Sequence, residues 1–354
     1  MLRQPVFLIG HQRSGTSLLR ACLERSDELW TLGREGKPIW ETYLHPSTRD
    51  WHSNAVPASA ASPDLVRALS GALARASRRN VASLTDADRL DYLRWVSVQG
   101  VNPYYFELGR DLLEEAFPDL CTEGPPRPQE RVDDEITPYC FPVPSVRPDA
   151  ATLARGVRLL EKSIQNCFRI EFLKAAFPDA KFLFIVRDGR TCISSVLDAW
   201  HHPRWFFSYK MPVELRINGY SDRYPWGKHW WKFSLPPGWR DLIGASLEEL
   251  CAYTWNAANA AILKGLDGLK ATRGAMLVRY EDLVARHREV LTEVSSFLEL
   301  GSEDRLLAGG LPVVMTENRP APTKWMKRKD EIARIMSDIA PMQERLGYPK
   351  DLSG

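Results

Sequence analysis

Three short stretches of the chain are continuously apolar rather than alternating, with Arg279 as their one charged position: residues 6–9, 182–186 and 276–280. Continuous apolar runs of this length belong to strands covered on both faces, the situation of a parallel sheet. Each run leads into a helical pattern, over residues 17–25, 191–199 and 283–298, so the chain reads as strand–helix units. A further helix is expected over residues 246–263. Ser246 and Glu249 have capping-box spacing, and Leu247, Leu250, Cys251, Trp255, Ala258 and Ile262 then recur at helical intervals. The fold class this predicts is α/β, a three-layer sandwich around a central, mostly parallel sheet.

Two regions interrupt that pattern. Between the first and second strands, Ser62-Pro63-Asp64 and Thr85-Asp86-Ala87-Asp88 open two helices, and residues 124–148 are too rich in proline for regular structure. After the second unit, residues 200–239 hold Trp200, Trp205, Trp226, Trp230, Trp231 and Trp239, half of the chain's 12 tryptophans. Such a cluster either covers the core or walls a pocket for an acceptor. The expected organisation is one domain over residues 1–354, with residues 40–150 and 200–245 as insertions that bind the acceptor.

Composition narrows the partners. The formal net charge is only +2, which gives no reason to expect nucleic acid or a membrane surface as a partner. No apolar run approaches the roughly 18 residues of a membrane span. The six cysteines are scattered without metal-site spacing, as expected of reduced thiols in a cytoplasmic protein.

The candidate chemistry begins where the first strand ends. Gly10-His11-Gln12-Arg13-Ser14-Gly15-Thr16-Ser17 opens a helix directly after a buried strand, where backbone N–H groups and a helix N-terminus can face an anion. The glycine spacing is P-loop-like. The residue after the second glycine is Thr16, however, where triphosphate chemistry requires a lysine. A sulfuryl group carries less charge than a γ-phosphoryl group, and Arg13 is the cation at hand.

With its preceding strand and the following Leu18-Leu19-Arg20, this loop resembles the 5′-phosphosulfate loop of sulfotransferases dependent on 3′-phosphoadenosine 5′-phosphosulfate (PAPS). The tyrosylprotein sulfotransferases and their bacterial relatives come closest. By that resemblance Arg13, Ser14, Gly15, Thr16 and Ser17 hold the 5′-phosphosulfate. Arg187 closes a strand eight residues before Ser195, and the pair is similar to the family's 3′-phosphate site. The structural alternative pairs Arg187 with Asp188. Lys162 lies 25 residues before Arg187, at the spacing of the family's lysine that stabilises the bridging oxygen as it leaves. The resemblance extends to Thr254-Trp255-Asn256, to residues 278–283 and to Lys324-Trp325. It implies Tyr280 near the nucleotide and Lys324 in a loop closing over the cofactor, with Lys327, Arg328 or Lys329 as substitutes. It fails over residues 40–150 and 200–245, and Ala199 stands where the tyrosylprotein enzymes have a further arginine.

An acceptor hydroxyl must lose a proton as sulfur is attacked, so a base must lie within hydrogen-bond reach. Glu35 matches the family's glutamate if one residue is inserted; His45, His201 and His202 are its rivals. The expected activity is in-line sulfuryl transfer from PAPS, leaving 3′,5′-adenosine bisphosphate. No metal is needed, and the acceptor group is a hydroxyl, with an amine as the lesser alternative, on a small molecule, lipid or carbohydrate. A small-molecule kinase and a non-catalytic nucleotide-binding protein are the alternatives.

Overall fold

The predicted strands pair side by side, and two shorter ones that the hydrophobic pattern does not announce extend the sheet. The computed structural model describes residues 2–31, 36–78, 158–202, 207–269, 271, 273–301, 303–312 and 322–352. In chain order, β1 (Val6–Ile9), α1 (Thr16–Leu23), β2 (Leu29–Thr31), α2 (Lys37–Leu44) and α3 (Pro63–Arg78) are followed by β3 (Arg158–Glu161), α4 (Ile170–Ala176), β4 (Lys181–Val186) and α5 (Gly189–His201). Then come β5 (Phe207–Lys210), β6 (Trp230–Lys232), α6 (Leu247–Gly265), β7 (Ala275–Arg279), α7 (Tyr280–Ala285) and α8 (His287–Leu298). Helices α9 (Glu303–Leu306), α10 (Lys329–Arg334) and α11 (Met336–Arg345) complete the described chain. The expected helix over residues 283–298 is thus two helices, broken where Arg286 leaves helical geometry. None of the described helices is long and apolar enough to cross a membrane.

Five strands form one sheet in the order β2-β3-β1-β4-β7, and every pair is parallel. Parallel pairing sends all five carboxyl ends to one edge. The register sets Phe7 beside Glu161 and Phe182. Glycine loop, β3 turn and β4 turn therefore leave the sheet side by side, where open α/β sheets collect ligands.

Burial confirms the two covered faces. Phe7, Ile9, Leu159, Phe182 and Phe184 pack with Trp40, Phe172, Ile193, Trp255 and Ile262 from α2, α4, α5 and α6 on one side. Val6, Leu8, Leu160, Leu183 and Ile185 pack with Leu19, Cys22, Leu291 and Val294 from α1 and α8 on the other. This is the three-layer α/β sandwich that continuous apolar strands require. At the start of α6 the capping box is present as expected, with Ser246 accepting from Glu249 N–H and Glu249 from Ser246 N–H.

The tryptophan-rich insertion resolves in favour of the core. Trp200, Trp230, Trp231 and Trp239 are all buried, and β5 and β6 pair antiparallel beneath them. Trp226 is half-buried and stacks on Tyr224 at 5.0 Å between centroids; Trp205 lies outside the described residues. The two insertions also join each other. Asn54 N–H donates to the Leu235 carbonyl at 2.8 Å, Leu235 N–H returns to Asn54 Oδ1 at 2.6 Å, and Trp239 Nε1 donates to the Trp51 carbonyl at 2.7 Å. The second expected helix cap, at residues 85–88, and the proline-rich stretch lie outside the described residues.

Candidate active site

The glycine loop is shaped by its neighbours. A Cβ on Gly10 would come within 2.7 Å of Ser14 Oγ and 2.8 Å of the Ile185 carbonyl oxygen. Gly15 has φ +102° and its Cβ would overlap the Tyr280 ring, so only glycine serves there. Between them Ser14 Oγ donates to the His11 carbonyl at 2.6 Å, and Arg13 takes a left-handed conformation with φ 66°. His11 sits beneath the loop, where burial pushes its pKa down to about 3 and keeps it neutral.

The β4 turn meets this loop. Arg13 Nε donates to Ser195 Oγ at 3.0 Å, and Arg187 Nη1 donates to the Arg13 carbonyl at 3.1 Å. Arg187 also lies over the Tyr280 ring at 4.3 Å. It is not paired with Asp188, because that carboxylate caps α5 and is taken by Arg190 at 2.7 Å and Gln343 at 2.9 Å. The Arg187 guanidinium is nearly buried, and its Nε has no hydrogen-bond partner among the described residues. A buried cation with an orphaned donor, facing a glycine cradle, fits a ligand with an anionic group at each end. The sites read separately from sequence as 5′ and 3′ anion holders are thus contiguous.

The structure separates the remaining candidates. Lys162 leaves the carboxyl end of β3, next to β1, and is buried. Lys324 lies in a 3₁₀ turn, Pro322–Arg328, ahead of α10. Its pKa is lowered, first by burial and then by Lys327, with Arg13 and Arg187 adding to the repulsion, so it shares their electrostatic field. Two of its suggested substitutes are committed elsewhere: Lys327 and Arg328 both bond Asp198, at 2.5 and 2.9 Å. Ala199 is buried and packs in the core.

Glu35 lies outside the described residues. Among its rivals, His45 is fully buried with its pKa pushed down to about 4, chiefly by burial, which makes it a poor base. Arg223 Nη1 donates to His201 Nδ1 at 3.1 Å, while the His202 carbonyl accepts from Lys232.

Sequence reasoning overlooked a buried polar cluster beside β3. Glu41 of α2 and Arg169 form an ion pair at 2.7 Å with both side chains inaccessible. Lys37 Nζ lies over the Tyr209 ring at 5.1 Å, the His45 ring packs edge-on against the same tyrosine, and Asn54 Nδ2 donates to the Tyr209 hydroxyl at 2.7 Å. The available signal was the spacing Lys37–Glu41–His45, which puts three ionisable groups on one face of α2.

Several known proteins are similar to this chain. A protein-tyrosine sulfotransferase of Drosophila melanogaster is 24% identical over 239 residues, 62% of this chain and 39% of that protein. Protein-tyrosine sulfotransferase A of Caenorhabditis elegans is 23% identical over 211 residues, 55% of this chain and 46% of that one. The chain therefore spans less than half the length of either relative. Among solved structures, the sulfotransferase domain from the curacin biosynthetic pathway aligns over 99% of both chains at 15% identity, with a TM-score of 0.46. The model of the sulfotransferase family matches residues 5–237, nearly two thirds of the sequence and inclusive of the glycine loop and the β4 turn, and the chain belongs to that family of transferase enzymes.

Proposed function

We propose that this enzyme moves the sulfuryl group of PAPS onto an acceptor hydroxyl. The observation that carries the reading is the junction of Arg13, Ser195 and Arg187, which joins the two anion-holding turns at one sheet edge. Bound PAPS would supply the sulfuryl group, activated by its phosphate leaving group. The loop N–H groups and side chains of Arg13 to Ser17 hold the 5′ end, and Arg187 with Ser195 hold the 3′-phosphate. Tyr280 supports the Arg187 guanidinium from below. Lys162 and Arg13 stabilise charge as it develops on the departing oxygen. Lys324 screens the phosphates, and Glu35 takes the acceptor's proton. In this reading the Arg13–Ser195 bond is exchanged for bonds to the ligand.

The insertions at residues 40–150 and 200–245 take the acceptor, a reading supported by their contacts with each other. Small-molecule, lipid or carbohydrate hydroxyls are the proposed class. The names of the two relatives favour a second reading, a tyrosyl hydroxyl in a protein, so the acceptor screen includes tyrosyl peptides. The described cysteines are all buried thiols, which suits a cytoplasmic setting.

Titration calorimetry with 3′,5′-adenosine bisphosphate, with ADP and Mg-ATP alongside, tests the donor. Preference for the bisphosphate is expected, weakened about ten- to a hundredfold in Arg187→Ala, the equivalent of about 1.5–3 kcal/mol for a charge-assisted bond. Binding of Mg-ATP alone would overturn the reading.

A further inference from the structure

Glu161 is the last residue of β3, and it is 1% exposed. Strand alternation sets it on the same face as Leu159, which packs with Phe7, Ile164, Cys167 and Phe168. A carboxylate on that apolar face is costly unless it is fully hydrogen-bonded. It is bonded by the very next turn of chain: Ser163 Oγ donates to Oε1 at 2.5 Å and Asn166 Nδ2 donates to Oε2 at 2.6 Å. One side chain thus ties together residues 161, 163 and 166, and Lys162 lies inside the loop so closed. From there the chain runs through a 3₁₀ segment, Ile164–Phe168, to Arg169, whose ion pair with Glu41 anchors the far end. Both Glu161 oxygens are engaged and out of reach of solvent, so its place in the reaction is not proton transfer.

We propose that Glu161 is a positioning residue: through Ser163 and Asn166 its carboxylate fixes the turn that presents Lys162 at the carboxyl edge of the sheet. This rests on the sulfuryl-transfer reading and on the role given there to Lys162. A flexible lysine keeps its charge wherever it swings, but it lowers the barrier only when held where charge develops.

The test is a double-mutant cycle of Glu161→Ala with Lys162→Ala, read by kcat, by bisphosphate affinity and by thermal melting. Lys162→Ala is expected to lower kcat by about 10²–10³. Glu161→Ala should lower it by about 10² while bisphosphate affinity stays within about threefold, and the double variant should be no slower than Lys162→Ala. Glu161→Gln should recover most of the rate, because its amide oxygen still accepts from Asn166 and the Ser163 hydroxyl can turn to accept from its amide nitrogen. If Glu161→Ala does not fold, Asn166→Ala removes one arm of the clamp and is read the same way, with about tenfold expected in kcat and nothing further in the Lys162→Ala background. A readout independent of turnover comes from ¹³C-methylated lysines: bisphosphate should shift the Lys162 signal in the parent enzyme and much less in Glu161→Ala. Losses that multiply in the double variant, or equal Lys162 shifts in both proteins, would overturn the proposal. A parent enzyme that does not bind the bisphosphate overturns the donor reading, and this proposal with it.

Discussion

The two halves of the sheet build their parts of the edge by different means. On the β1–β4–β7 side the strands are apolar but for Lys181 and Arg279 at their ends, and polar groups gather past the carboxyl ends, as glycines, backbone N–H groups and two arginines tied to each other's loops. On the β2–β3 side the strands have 3 and 4 residues, and polar side chains are driven into the interior: Lys37, Glu41, His45, Glu161 and Arg169 are all buried. The first half relies on backbone shape, which tolerates no added atoms. The second relies on charges held by one another, and it tolerates no missing partner.

The largest effect expected from that contrast is in the second half. Arg169→Met strands the Glu41 carboxylate in a dry interior and should cost about 3–5 kcal/mol in a urea melt, most of it regained in the double variant Glu41→Leu/Arg169→Met. Full loss in the double variant as well would mean that the pair does more than satisfy itself. In the first half, Gly15→Ala forces a side chain into the left-handed region and into the Tyr280 ring, at a cost of about 1–3 kcal/mol. Bisphosphate affinity should drop about tenfold or more. Gly219→Ala, with φ +86° and nothing nearer than Leu247 at 3.8 Å, should lower stability alone. Equal effects of the two on binding would contradict the shape argument.

The smallest effect concerns acid. His45 has a folded pKa of about 4 against the ordinary imidazole value of 6.5, so between those values the unfolded chain binds a proton that the folded one refuses. Stability therefore falls as pH drops through that window, by about 1 kcal/mol between pH 7 and 5.5 for this group. His45→Asn, which can still cap the following turn through Ser47 N–H, should flatten the slope measured by thermal melting. It should not abolish the slope, since His11 titrates in the same direction.

The same contrast explains what could be read from the sequence. β1, β4 and β7 were legible because burial on both faces leaves a run of apolar letters, and the glycine loop because its conformation excludes other residues. That Arg187 stands beside the glycine loop was legible from its place at the end of such a strand, while Ser195 was singled out only by the family resemblance. β2 and β3 were not, because they are short and Thr31, Arg158 and Glu161 leave neither a continuous apolar run nor an alternation. The Glu41–Arg169 pair joins residues 128 apart in the chain, and no local pattern signals a contact of that span. The tryptophans of the second insertion were ambiguous by composition, and only burial in the folded chain decides that Trp200, Trp230, Trp231 and Trp239 fill the core.

Lys232 ties the second insertion to the β4 side of the sheet. From β6, inside the proposed acceptor insertion, its buried ammonium reaches the Ala199 carbonyl at 3.0 Å and the His202 carbonyl at 2.5 Å, closing the end of the helix that presents Ser195. Burial lowers its pKa well below the usual lysine value. In the proposed function, a helix fastened at its end by the insertion and held at Ser195 by the donor is one thermodynamic unit. Whatever order one substrate imposes on it must be felt by the other in equal measure, as linkage requires. Synergy between donor and acceptor binding should therefore be reciprocal, and its size would report how stiffly that fastening transmits strain.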